Sequence, residues 1–169
     1  MCSSDLIFPA SLTQLKKLKW LDISYNKLTT ISDVIGEMVA LEGLVLSFNQ
    51  LTVLSPAIKQ LKKLEVLNIS HNKLTTISDA IGEMVALVGL DLSNNQLTVL
   101  SPAITQLKKL KVLYISHNKL ATIPDVIGEM VALLKLDLSY NQLTVLSPAI
   151  TQLKKLEWLN MSQIGRAHV

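Results

Sequence analysis

The chain has 169 residues, of which 49% are hydrophobic, with a formal net charge of +3 and one cysteine. A positive excess this small does not predict a nucleic-acid partner, and a single thiol excludes an intramolecular disulfide. No apolar run reaches the ~18 residues that a membrane-spanning helix requires, so we predict no membrane segment in this chain.

A repeated leucine pattern dominates the chain. The motif Leu-x-x-Leu-x-Leu/Ile/Met-Ser-x occurs seven times at intervals of 23 residues, first at Leu18 and last at Leu156, and six times it continues into Asn-x-Leu. A strict repeat of this length predicts a solenoid, because one unit buries its apolar face only against stacked neighbours. The six asparagines are Asn26, Asn49, Asn72, Asn95, Asn118 and Asn141.

Each repeat begins with a predicted strand. In the first repeat, Leu21 and Ile23 alternate with Asp22, which is the period of a strand that buries one face and exposes the other. We predict strands of about five residues, with the residues between the leucines facing outward. The asparagine that follows lies where the chain turns away from the strand.

The remainder of each repeat comes in two alternating versions, so the full period is 46 residues, as from Asn26 to Asn72. One version contains Ser55-Pro56, which resembles an N-cap followed by proline at the first helical position, and it predicts a short helix. The other version has Gly36 and no strong cap, and it predicts only a loose turn or a 3₁₀ segment.

This arrangement resembles the leucine-rich repeat family over nearly the whole chain. The resemblance implies an α/β fold, a right-handed leucine-rich repeat solenoid with a parallel β-sheet on its concave side and short helices or 3₁₀ turns on its convex side. It also implies that the six asparagines form a structural ladder, in which each buried amide bonds the backbone of the neighbouring turns.

A finer resemblance suggests a subclass. The segment from Leu28 to Gly36 is similar to the 23-residue repeats of the intracellular, Ras-suppressor-like proteins, although that subclass usually has Pro where this chain has Ser32 and Ser78, and only Pro124 matches. The resemblance implies a cytoplasmic protein whose partner is another protein, such as a small GTPase or a signalling protein. It implies no nucleic acid, membrane, metal or cofactor.

Charge alternates along the predicted convex side. Lysine pairs fall in the Ser-Pro repeats, and carboxylates fall in the repeats between them, so we predict that neighbouring turns offset each other's charge. The lysine pairs are Lys16 and Lys17, Lys62 and Lys63, Lys108 and Lys109, and Lys154 and Lys155. The carboxylates are Asp33, Glu37, Asp79, Glu83, Asp125 and Glu129.

Aromatic residues concentrate on the predicted concave side. Six of the seven Phe, Trp and Tyr residues occupy outward positions of the strand pattern, and two histidines share a column with three of them. Two aspartates on the same face add a source of charge selectivity. The candidate partner-binding residues are Trp20, Tyr25, Phe48, His71, Asp91, Tyr114, His117, Asp137, Tyr140 and Trp158.

Differences between repeats also concentrate on that side. The unit that starts at Asn26 has Val45 and Phe48 where the unit that starts at Asn72 has Asp91 and Asn94, whereas the outward carboxylate on the convex side is identical in both. A face that varies from strand to strand on a constant scaffold is typical of a recognition surface, because each strand presents a different contact.

The sequence contains no recognisable catalytic constellation. It has no Gly-rich phosphate loop, no His-x-x-x-His and no nucleophile with an evident base, so we predict that the chain is not an enzyme and holds no metal. The favoured interpretation is a protein-interaction scaffold that binds a partner on its concave face. Two alternatives stay open: a ligand-sensing ectodomain of a receptor, and the regulatory repeat region of a larger kinase or GTPase.

The two ends of the chain depart from the repeat. Ile164 stands where a ladder asparagine is expected, and residues 164–169 match ATC GGA AGA GCA CAC GTC, which looks like a translated sequencing adapter. Cys2-Ser-Ser-Asp-Leu6 similarly fits the opposite adapter strand. We therefore predict that residues 1–6 and 164–169 are artefacts outside the repeat packing. Residues 7–163 would then be the leucine-rich repeat domain, an internal fragment of about seven repeats without caps.

Overall fold

The computed structural model describes residues 6–165 and contains one parallel sheet of seven strands, which lie side by side in chain order. Each strand is three residues long, shorter than the five that the sequence pattern predicts. Neighbouring strands pair at an offset of one repeat, as Leu21 pairs with Leu44. The strands are Trp20–Asp22 (β1), Gly43–Val45 (β2), Val66–Asn68 (β3), Gly89–Asp91 (β4), Val112–Tyr114 (β5), Lys135–Asp137 (β6) and Trp158–Asn160 (β7).

The opposite side of the solenoid consists of seven 3₁₀ helices of five residues each. Both versions of the repeat form this element, which confirms the 3₁₀ segment expected of the Gly36 version. The helix expected after Ser55-Pro56 is a 3₁₀ helix of the same length and is not more regular. Ser78 caps its helix by accepting from the Ala80 N–H at 3.2 Å, much as Ser55 accepts from the Ala57 N–H at 3.1 Å. The helices are Ala10–Gln14 (η1), Asp33–Glu37 (η2), Pro56–Gln60 (η3), Asp79–Glu83 (η4), Pro102–Gln106 (η5), Asp125–Glu129 (η6) and Pro148–Gln152 (η7).

The core lies between the sheet and the 3₁₀ helices and consists mainly of leucine and isoleucine. In the second repeat, Leu41, Leu44 and Leu46 have no solvent exposure, and Leu44 is the middle residue of its strand. The middle residue of strands β1 to β6 is therefore buried in the core, while the first and third residues form the concave surface. Leu159, the middle residue of β7, is exposed at the end of the sheet. A three-residue strand thus presents two side chains to a partner.

The ladder asparagines link each turn to the turn of the preceding repeat. Asn95 Oδ1 accepts from the Leu74 N–H at 3.0 Å, and its Nδ2 donates to the carbonyls of Ile69 and Leu92, both at 3.0 Å. Four further asparagines make the same set of bonds, and all five are buried. They are Asn49, Asn72, Asn118 and Asn141.

The ladder changes at both ends of the described chain. Asn26 is exposed, and its Nδ2 donates to Ile23 and Ser24 within its own turn. At the other end, the Leu143 N–H donates to the backbone carbonyl of Ile164 at 2.6 Å, in the place where an asparagine side chain accepts elsewhere. The main chain of Ile164 therefore replaces the missing amide.

The C-terminal segment takes part in the packing. Ile164 is partly buried against the core, and Gly165 forms an isolated antiparallel bridge with Gln142. The expectation that the segment from residue 164 onward lies outside the repeat packing is wrong for these two residues. Residues 1–5 and 166–169 lie outside the described residues, and the adapter origin of both ends stays a prediction.

The 46-residue period has a structural cause in the way the 3₁₀ helices pack. Gly82 of η4 lies so close to η5 that a Cβ there would be 2.6 Å from the Ala103 carbonyl oxygen. The Ser147 hydroxyl donates to Asp125 at 2.6 Å across the equivalent interface between η6 and η7. The same hydroxyl bond joins the other two helix pairs, from Ser55 to Asp33 and from Ser101 to Asp79.

The alternate interfaces are held by ion pairs between exposed side chains. Glu83 is 3.6 Å from Lys59 and 3.7 Å from Lys62, and Lys108 lies 3.9 Å from Glu129. The predicted offset of basic and acidic turns is confirmed at these positions. Each exposed ion pair contributes little to stability. The interfaces that have a close Gly contact and a Ser–Asp bond are therefore tighter than the ion-pair interfaces that alternate with them.

The ladder generates the first testable prediction. Asn95→Ala removes the acceptor of the Leu74 N–H and the donor of two buried carbonyls, so we expect a loss of about 3 kcal/mol in the free energy of unfolding. Asn26→Ala is the matched control, since Asn26 bonds only its own exposed turn, and it should cost under about 1 kcal/mol. Urea denaturation followed by circular dichroism measures both, and equal losses would contradict the ladder's role.

The glycine contact generates the second prediction. Gly82→Ala places a methyl group against the Ala103 carbonyl oxygen, so we expect a destabilisation of about 1–3 kcal/mol. Gly89→Ala makes the same chemical change on the sheet, where no atom lies within 4 Å of the new Cβ, and it should stabilise by about 0.5 kcal/mol. Thermal unfolding compares the two variants, and a Gly82→Ala variant as stable as the parent chain would refute the close approach.

Candidate functional site

The concave surface consists of two columns of outward strand residues. One of them, the first column, contains the first residue of every strand. The other, which we call the third column, contains the third and last residue of every strand. The first column is Trp20, Gly43, Val66, Gly89, Val112, Lys135 and Trp158, and the third is Asp22, Val45, Asn68, Asp91, Tyr114, Asp137 and Asn160. The concave surface thus carries a mixture of apolar, acidic, basic and aromatic side chains.

Two glycines in the first column have opposite surroundings. The indole of Trp20 lies on Gly43, where a Cβ would be 2.0 Å from the ring, whereas no atom lies within 4 Å of the Cβ position at Gly89. The space above Gly89 is a hollow of about 160 Å³ that we call the Gly89 hollow. Its walls are Val66, Asn68, Asp91, Val112 and Tyr114.

Exposed aromatic side chains flank the Gly89 hollow on both sides along the solenoid. Tyr114 and Trp158 meet edge to face, with centroids 6.0 Å apart and an interplanar angle of 79°, so their rings extend across strand β6. Trp20 stands two strands beyond the hollow on the other side. Trp20 and Trp158 are 54% and 42% exposed, which leaves large apolar areas accessible to a partner.

The aspartates of the third column also stabilise the turns that follow their strands. Asp137 Oδ1 accepts from the Ser139 N–H at 2.9 Å and from its hydroxyl at 2.6 Å, and Asp91 Oδ1 accepts from the Ser93 N–H at 2.9 Å. These are Asx turns, in which a side chain satisfies a backbone donor two residues later. Asp91 and Asp137 therefore have a structural role in addition to the predicted one in partner binding.

Two exposed groups at the first strands have altered pKa values. Bonds from the Ser24 hydroxyl and N–H lower the pKa of Asp22, so its contribution to stability is present above its unfolded-state pKa and is lost as the pH falls. The hydrogen bond to Glu42, 2.9 Å away, raises the pKa of Lys19. That contribution is present below the unfolded-state pKa of lysine and is lost as the pH rises.

The column with most rings does not lie on the strands, contrary to the sequence interpretation. Its residues follow the strands, directly before the ladder asparagines, in the left-handed region with φ between 51° and 54°. The strands end too early to include them, although their N–H groups still donate to the next repeat, as that of Phe48 does to the Ser70 carbonyl at 3.1 Å. We call this set the ring row: Tyr25, Phe48, His71, Asn94, His117 and Tyr140.

Rings in the ring row stack face to face. The ring centroids of Tyr25 and Phe48 are 4.3 Å apart, those of Phe48 and His71 are 3.9 Å apart, and those of His117 and Tyr140 are 4.2 Å apart. The interplanar angles are only 7° to 10°. Each stack arises because identical turns repeat at about the spacing of neighbouring strands, ~4.8 Å.

Left-handed backbone makes the ring row unusual. A side chain with a Cβ costs about 1–2 kcal/mol in this conformation, and Gly, Asn and Asp are the residues that tolerate it best. Within the row Asn94 is of that kind, and His71 and His117 are of a type that is also enriched at positive φ, whereas the other three residues are Tyr or Phe. Exposed rings at such positions are poorly explained by backbone preference, and strained positions of this kind cluster at functional sites.

Sequence reasoning missed the Gly89 hollow and the left-handed turn. Gly43 and Gly89 occupy the same strand position, and each precedes a leucine. What distinguishes the filled position from the open one is the residue one repeat earlier, which is Trp20 for Gly43 and Val66 for Gly89. The turn had usable signals in His71, Asn94 and His117, because histidine and asparagine are both enriched at positive φ.

The described part of the chain offers no evident metal site. Within residues 6–165, no group of three or more His, Cys, Asp or Glu side chains is arranged to hold a metal ion. No helix in that range is long and apolar enough to cross a membrane.

The ring row generates the third prediction. Phe48→Leu keeps the left-handed strain but loses two ring contacts, so we expect a destabilisation of about 1–2 kcal/mol. Phe48→Asn loses the same contacts but recovers about 1 kcal/mol of backbone preference, so it should be the more stable variant. Chemical denaturation of both variants separates stacking from strain, and an asparagine variant less stable than the leucine variant would contradict the left-handed assignment.

Comparison with known families agrees with this geometry. The family model described as "Leucine rich repeat" matches residues 5–51, 39–97, 87–143 and 108–163. No curated protein matches the chain.

Solved structures share the fold. A leucine-rich repeat protein of Leptospira interrogans is 30% identical with a TM-score of 0.67, and the match covers 92% of this chain and 52% of that one. The plant peptide hormone receptor RGFR1, solved with RGF2, is 25% identical with a TM-score of 0.77, covering 93% and 30%. TLR13, solved with ssRNA13, is 26% identical with a TM-score of 0.86, covering 98% and 24%.

The chain therefore spans about half the length of the Leptospira protein and less of the two receptors. The family match extends over almost all of the present chain, and the repeats stack into one parallel sheet with a ladder of buried asparagines. On these grounds the chain belongs to the leucine-rich repeat family.

Proposed function

We propose that this chain is a protein-interaction scaffold whose partner docks on the concave sheet, over the Gly89 hollow. The observation that carries the proposal is the hollow itself, an open position between aromatic side chains, in contrast to the equivalent position at Gly43, which Trp20 fills. A hollow of about 160 Å³ suits one partner side chain of medium size. Interfaces commonly take their affinity from a few such buried contacts.

The walls of the hollow indicate the chemistry of that side chain. Val66 and Val112 are apolar and face each other across Gly89, whereas Asn68 and Asp91 supply polar atoms at one end. An apolar partner side chain that ends in a hydrogen-bond donor satisfies both parts. A carboxylate at that position would meet the charge of Asp91.

The size of the sheet limits the affinity. Seven strands at ~4.8 Å spacing and three residues at ~3.3 Å give a strip of roughly 29 by 10 Å, or about 300 Å² in projection. A standard stable interface covers ~800 Å² per partner. The partner is therefore expected either to bind weakly or to extend beyond the strands onto the ring row.

A protein partner is preferred over an RNA partner for the ring row. RGFR1 and TLR13 were solved with a peptide hormone and with ssRNA13, respectively, so solved relatives include both classes of ligand. Single-stranded nucleic acid binds by stacking its bases on aromatic faces. In the stacks described above, the facing surfaces of the rings cover each other, so those faces are not open to a base.

The remaining functional assignments rest on the family resemblance. We assign no catalytic activity to the chain, since domains of this family typically mediate protein interactions. A signalling protein or small GTPase as the partner, and a cytoplasmic location, both follow from the similarity to the Ras-suppressor-like subclass and stay predictions. A role inside a receptor, kinase or GTPase would depend on segments that this chain does not contain.

The fourth prediction tests the concave site. Gly89→Leu fills the Gly89 hollow without an internal clash, so it should leave stability nearly unchanged and weaken partner binding by about 2 kcal/mol. Tyr114→Ala and Trp158→Ala should weaken binding by a similar amount if both side chains are buried against the partner. The measurement is titration calorimetry with a partner first identified by affinity capture on the parent chain.

Two controls accompany this experiment. Gly89→Ala adds one methyl group in the same place and should have a smaller effect than Gly89→Leu. Lys63→Ala removes an exposed charge on the convex side and should change binding by under about 0.5 kcal/mol. If Lys63→Ala weakens binding more than Gly89→Leu and Trp158→Ala do, the partner does not use the concave face.

A further inference from the structure

A row of lysines and glutamines runs beside the ring row. The residue after each ladder asparagine alternates between the two types, so three lysines recur every 46 residues. All three are exposed, and Lys73 Nζ lies 3.4 Å from Gln50 Oε1, which shows that neighbouring side chains in this row meet. The row is Lys27, Gln50, Lys73, Gln96, Lys119 and Gln142.

We propose that the ring row and this lysine row together bind an extended acidic peptide segment that runs along the solenoid axis. The inference deepens the proposed function by assigning the chemistry of one part of the partner. It concerns the edge of the concave sheet, where the strands give way to the turns, and not the Gly89 hollow.

Charge complementarity is the first support. Each repeat has a segment that runs from the serine after the strand to the cap of the next 3₁₀ helix, as in residues 24–32, 70–78 and 116–124. None of the six segments contains Asp or Glu, whereas three of them contain a lysine. The carboxylates of the concave surface, Asp91 and Asp137 among them, stand on the strands instead. A negatively charged segment is therefore attracted to the edge more strongly than to the strands, where Asp22, Asp91 and Asp137 outnumber Lys135.

The stacked rings give the second support. Aromatic rings carry negative charge on their faces and positive charge at their edges. The stacks hide the faces between neighbours, at centroid distances of 3.9–4.3 Å, and leave ring edges toward solvent. Edges with partial positive charge suit carboxylate oxygens, whereas a nucleic-acid base needs an open face.

A second hollow marks one contact point of the proposed segment. It measures about 260 Å³, and its lining includes Lys119 and Gln142, both of which can donate a hydrogen bond. It lies beside the ring row and is separate from the Gly89 hollow in its lining. The lining consists of Asn95, His117, Asn118, Lys119, Tyr140 and Gln142.

The spacing of the lysines defines the pattern of the segment. Lys27, Lys73 and Lys119 are each two repeats apart, or about 10 Å at a strand spacing of ~4.8 Å. In the polyproline II form of an extended chain, three residues make one turn and span about 9 Å, so every third side chain lies on the same face. An acidic residue at every third position would therefore place one carboxylate near each lysine.

The test uses a fluorescent peptide in which three glutamates are separated by pairs of serines. We expect it to bind the parent chain in low salt, to lose affinity as ionic strength rises, and to shift backbone NMR signals around Lys119. The triple variant Lys27→Gln, Lys73→Gln and Lys119→Gln should lose at least tenfold in affinity. The peptide with glutamines in place of glutamates should not bind.

Matched controls make the result decisive. The variant Lys63→Gln, Lys109→Gln and Lys155→Gln removes three exposed convex lysines with the same 46-residue spacing and should bind the peptide as the parent chain does. Equal losses in the two triple variants would show unspecific attraction and overturn the proposal. Tighter binding of an oligouridylate than of the acidic peptide, lost in the Lys27, Lys73 and Lys119 variant, would assign the edge to RNA and also overturn it.

The Gly89→Leu variant separates this inference from the proposed function. It leaves the edge intact, so it should bind the acidic peptide with unchanged affinity. If the captured partner loses affinity for Gly89→Leu but not for the Lys27, Lys73 and Lys119 variant, the edge inference fails and the concave site stands. The opposite result would retain the edge and remove the hollow.

Discussion

The hydrogen bonds of the buried asparagines are the constraint on which the rest of the structure depends. Each amide ties its own turn to the turn one repeat earlier, and it does so with both donors and its acceptor, as Asn95 does. Because these bonds hold equivalent turns directly above one another, the residue before each asparagine also stacks on its counterparts. The ring row and the lysine row are consequences of that register, since side chains in adjacent columns inherit the same spacing.

Much of the fold follows from the periodicity of leucine and asparagine. Leu44 and Leu46 could be assigned to the core from their positions alone, and both have no solvent exposure. Strand length could not be predicted in the same way, because the hydrophobic alternation continues through Leu46 and its counterparts, beyond the last residue of each strand. The cap at Ser78 was also hidden, since a serine without a following proline is a weak signal.

The candidate site was predictable in composition but not in shape. The outward aromatic residues are visible in the sequence pattern, yet their separation into a sheet surface and a left-handed ring row depends on one turn per repeat. The hollow depends on a comparison between repeats, because Gly43 and Gly89 have the same role in their strands and differ in whether a tryptophan stands one repeat earlier. Such relations between columns matter more in a solenoid than local propensity does.

The two kinds of interface along the convex side have a consequence for the concave side. Repeats joined by a close glycine contact and a Ser–Asp bond, as at Gly82 and Ala103, are less free to move apart than repeats joined by exposed ion pairs. The tight pair η4 and η5 belongs to the repeats that begin with β3 and β4, so Val66 and Gly89, which both line the hollow, stand on two closely joined repeats. A rigid recess costs less ordering entropy on binding than a flexible one, which makes this pair of repeats the best-organised position on the sheet for a partner side chain.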